Sequence, residues 1–100
     1  MRYDAYLRRL ISRIFKLLPM REQVDEGVNL FLDTYVSDLA DETVGACVTF
    51  PELYEMPTFV SVVNSLNYMR GHWADMEFAN YRSTVLKMTN NISDIVEGVR

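Results

Sequence analysis

The chain reads as an all-α protein, a small antiparallel bundle of about four helices within a single domain. Three observations predict this. Apolar residues recur at steps of three and four in four separate stretches, the signature of helices with one buried face. Three prolines and four glycines are too few for a β-sandwich or barrel, which needs a turn about every 8 to 12 residues. A length of 100 residues, with 49% hydrophobic and 24% charged side chains, is ordinary globular composition and enough to bury one modest core.

The first helix is expected over residues 2–18. Tyr3, Tyr6, Leu7, Leu10, Ile11, Ile14, Leu17 and Leu18 share one half of the helical wheel, with Phe15 at its margin and Arg2, Arg9, Arg13 and Lys16 opposite. Pro19 should end it, because the residue before a proline is pushed out of the α region. Residues 19–27 then form a connection that can include a helical turn. A second, acidic helix is expected over 28–49, with Val28, Leu32, Tyr35, Val36, Leu39, Thr43, Ala46 or Cys47 and Phe50 inward. Asp33, Asp38, Asp41 and Glu42 face outward. Gly45 is tolerated within it, since a helical glycine costs about 1 kcal/mol relative to alanine.

The segment FPELYEMP, residues 50–57, holds two prolines and predicts a turn or short irregular helix. A third helix over 57–70 starts with Pro57 at its first position and buries Phe59, Val62, Val63, Leu66 and Met69, with Gly71 as its C-terminal cap. The last helix is expected over 75–98 with Asp75 as N-cap. In it Phe78, Tyr81, Val85, Met88, Ile92, Ile95 and Val99 alternate strictly at three and four, the heptad seam of helices packed at a shallow angle.

Charge is unevenly placed in a chain of net charge −4. Residues 1–21 carry six basic side chains against Asp4 alone, and the remainder carries four against thirteen carboxylates. A basic segment can be a nucleic-acid arm or an interfacial membrane helix. Against both, the bundle needs the apolar half of that helix, and the carboxylates elsewhere oppose a polyanion. No membrane association is expected.

The inventory argues against an enzyme. One histidine, His72, and one cysteine, Cys47, fall in different segments, and Cys47 is expected on a buried face. No metal-ligand spacing, phosphate-binding glycine loop or dinucleotide fingerprint occurs, so neither cofactor nor metal is expected. The single cysteine precludes an intrachain disulfide and fits a reducing cytoplasm. Charges run through the apolar N-terminal segment, unlike a signal peptide.

The run LLPMREQVDEGVNLFLDTYVSDL followed by TFPEL resembles small helical proteins encoded in phages and prophages of Gram-positive bacteria. Leu17, Leu18, Pro19, Glu26, Gly27, Leu32, Asp33, Phe50, Pro51, Glu52 and Leu53 carry the resemblance. It implies an all-helical fold and a role in the host cytoplasm, and supplies no site residues. The resulting expectation is a non-enzymatic protein-interaction module, self-associating as a homodimer and binding another protein. Its expected contact residues are Trp73, Tyr81, Met88 and Ile95, together with Arg2, Arg9, Arg13 and Lys16 of the first helix. The alternative is nucleic-acid binding through that basic helix.

Overall fold

Pro19 shapes the first third of the chain, though the helix it interrupts ends three residues earlier than expected. It lacks the N–H that would bond the Phe15 carbonyl, and its ring crowds that carbonyl. Helix α1 accordingly spans Asp4–Phe15, and the chain re-enters helix as α2, Leu17–Glu22. Pro19 now lies in the first turn of α2, where a helix needs no N–H donor. The single helix expected over 2–18 is therefore two, hinged at Lys16.

The computed structural model describes residues 3–22 and 26–98, with the side chains of 26–30 outside that description. Arg2, Val28 and Val99, assigned above to helix faces, also lie outside it. Helix α3 runs Glu26–Thr49, passing through Gly45 as expected. Pro51 opens the one-turn helix α4, Pro51–Tyr54, and Pro57 opens α5, Pro57–His72. Both prolines occupy the N-terminal position that suits them. Regular geometry in α5 gives way at Arg70 (ψ 42°) and Gly71, close to the expected end.

The last helix, α6, spans Phe78–Val96, not 75–98. Asp75 does not cap it: residues Trp73–Asp75 form a 3-10 turn, and Met76 and Glu77 are extended. The reason is Arg21. Its guanidinium donates to the carbonyls of Trp73 (2.8 Å) and Met76 (2.6 Å), holding the corner open. At the other end of α6, Gly98 adopts φ 81° and donates to the Ile95 carbonyl, a left-handed stop that glycine takes without penalty.

Helix α1 packs against α6, α6 against α5, and α5 against α3. Side chains close the ring between α3 and α1: Tyr3 meets Phe50 edge-on at 6.0 Å, and Tyr35 donates to the Arg13 carbonyl at 2.6 Å. These pairings run in opposite chain directions, so α1, α3, α5 and α6 form an up-down-up-down bundle. Its core is built from Leu7, Leu10 and Ile14 of α1, Leu32, Val36 and Leu39 of α3, Phe59, Val62 and Leu66 of α5, and Tyr81, Val85, Met88 and Ile92 of α6. The buried hydroxyl of Thr43 donates to the Ala40 carbonyl at 3.0 Å, so it enters the core satisfied.

The heptad seam of α6 thus packs within its own chain. Phe78, at its start, is the exception at 40% exposure. If Arg21 fixes the corner between α5 and α6, Arg21→Ala should cost about 2 kcal/mol, since two hydrogen bonds from a charged donor are lost. Arg9→Ala, at an exposed position, should change stability by less than about 0.5 kcal/mol. Urea unfolding followed by circular dichroism measures both, and equal effects would refute the role given to Arg21.

Candidate functional site

The residues expected to make contacts divide sharply. Trp73, Tyr81, Met88 and Ile95 are all buried, none more than 4% exposed, which corrects the expectation that they make intermolecular contacts. Tyr81 donates to the Leu17 carbonyl (2.7 Å) and Trp73 Nε1 to Asp33 (2.5 Å). Their polar ends are committed inside the fold. Arg13 pairs with Glu42 at 2.6 Å, whereas Arg9 and Lys16 are exposed and form no ion pair among the described residues. Arg2 lies outside the described residues.

The Arg13–Glu42 pair sits in an aromatic frame between α1 and α3. Tyr6 Oη approaches Glu42 at 3.5 Å, the long limit of a hydrogen bond, and Tyr35 donates to the Arg13 carbonyl. Burial, followed by the Glu42 carboxylate, pushes the Tyr6 hydroxyl well above the ordinary tyrosine range. Burial raises Tyr35 and Tyr81 as well, opposed by Arg13 and Arg21 respectively. Burial also pushes the Cys47 thiol up, away from the thiolate form that nucleophilic chemistry requires.

Cys47 and His72 are not brought together. Cys47 shares a groove with Val60 and Val63 of α5, and His72 lies nine residues beyond Val63. The regular part of that stretch, Val63 to Met69, is alone about 9 Å of helix. His72 instead stacks on Tyr68 (4.4 Å, 3° between planes) and its Nδ1 lies 2.7 Å from the Tyr68 carbonyl. Among the described residues no group of three or more His, Cys, Asp or Glu is placed to hold a metal ion. No helix among them is long and apolar enough to cross a membrane.

The surface feature that stands out is the outer side of α5 and the end of α3. Val44, Cys47, Tyr54, Val60, Val63 and Asn64 line a groove of about 250 Å³. Val60 and Asn64 also line a shallower depression of about 490 Å³ that continues past Ser61 to Tyr68. Beside them Val48 is 78%, Tyr54 69% and Tyr68 56% exposed. Exposed apolar side chains grouped in this way mark contact sites more often than scattered ones do. Residues 56–69 hold no Asp, Glu, Lys, Arg or His, the longest such run in the chain, and the exposed Glu52 and Glu55 border it at the Pro57 end. At its far end Arg70 is neutralised by Asp41 at 2.5 Å.

Tyr54 and Tyr68 fall outside the core stripes expected from the sequence, so their exposure is consistent with it. Val44, Val48 and Val60 were not assigned to a surface, although the uncharged run was a readable signal. The tyrosine frame carries a pH consequence. Each raised pKa means the folded state keeps its hydroxyl neutral to higher pH than the unfolded chain does. Stability is therefore complete below the ordinary tyrosine pKa of about 10 and lost as pH rises beyond it. Thermal melts between about pH 8 and pH 11 should show a falling midpoint, with a shallower fall in Tyr6→Phe; a flat profile would refute this.

Compared with protein-family models, curated proteins and solved structures, the chain shows no match.

Proposed function

We propose that this protein is a non-enzymatic protein-interaction module whose contact surface is the groove between α5 and the end of α3, with Tyr54 of α4 at its edge. The carrying observation is a groove lined without charge in which Val44 and Tyr54 are exposed, continued by a depression that reaches the exposed Tyr68. Tyrosine is favoured at interfaces because it offers a large apolar ring, a polar tip and few rotatable bonds. Support against an enzyme comes from the separation of Cys47 and His72 and from the direction in which burial moves the thiol.

The nucleic-acid alternative loses ground on geometry. Arg13 is engaged by Glu42 and Arg8 by Asp4, and Arg9 and Lys16 give a weak hold on phosphates in a chain of net charge −4. On the interaction reading the chain works in a host cytoplasm, as its resemblance to phage-encoded helical proteins implies.

Differential affinity capture from the source organism tests the reading. Wild-type bait is compared with bait carrying Val48→Asp and Tyr54→Asp, substitutions at exposed positions that should alter stability by no more than about 0.5 kcal/mol each. A protein retained by the wild type should fall at least roughly tenfold on the variant, as expected when interfacial anchors are lost. Identical protein sets on both baits refute the surface. Material lost on nuclease treatment and on Arg9→Ala, Lys16→Ala supports nucleic acid instead.

A further inference from the structure

We draw no further inference here: the strongest candidate, the cavity of about 480 Å³ that Tyr3, Glu52, Glu55, Met56, Pro57 and Thr58 line beside the turn between α4 and α5, rests on two exposed carboxylates, and nothing in the structure points to a ligand for them.

Discussion

One side chain, Arg21, ties together segments that are otherwise far apart along the chain. Its guanidinium donates to the carbonyls of Trp73 and Met76 and lies 4.8 Å from the Tyr81 ring centroid and 5.8 Å from that of Trp73. Among the described residues its partners are backbone carbonyls and aromatic faces. Hydrogen bonds from a charged donor contribute about 1.5–3 kcal/mol each, against at most about 2 kcal/mol to order the side chain. With the corner fixed, Trp73 reaches Asp33 on α3 and Tyr81 reaches the Leu17 carbonyl. The register of α6 against α1 and α2 follows from those bonds.

The uneven charge of the chain takes on a different meaning in this frame. Arg21 caps a corner and Arg13 is paired with Glu42, so two of the six basic residues before position 22 are spent on tertiary structure. Both partners of the Arg13 pair are 37% exposed, and such a pair contributes only about 0.2–1 kcal/mol. Its larger effect is positional. It sets α1 beside the acidic face of α3 and leaves the α5 side of α3 free to present Val44 and Val48. The basic segment that suggests a binding arm in isolation is in part an internal partner, through Arg13 to α3 and Arg21 to the corner before α6.

Periodicity carried most of the fold. The core stripes of α1, α3, α5 and α6 were legible because burial of one helical face imposes a 3.6-residue repeat that needs no knowledge of partners. Pro51 and Pro57 were readable as starts for the same local reason. The break at Lys16 was misplaced, because proline acts both on its predecessor and on the carbonyl four residues back, and sequence alone does not say which dominates. Arg21 and Asp75 were misjudged for another reason. Their roles depend on carbonyls 52 and 55 residues from Arg21, a separation with no periodic trace. The contact surface failed where one helix was given two jobs: the clean seam of α6 was read as available to a partner, yet the bundle needed it.

That last point bears on where association can occur. A 100-residue bundle must bury one stripe from each long helix to be stable, so the strongest apolar seam is the one least available to a second molecule. Tyr81, Met88 and Ile95 are accordingly at most 2% exposed. An interface on such a protein has to be drawn from positions the core does not claim, which are weaker in hydrophobicity by selection for solubility. On α1, α3 and α6 those positions carry charge. On α5 they carry proline, serine, asparagine and tyrosine, bordered by exposed valines. A stripe that is neither charged nor strongly apolar satisfies both demands: it adds no large apolar patch to the free chain, and another face can approach it without desolvating a charge.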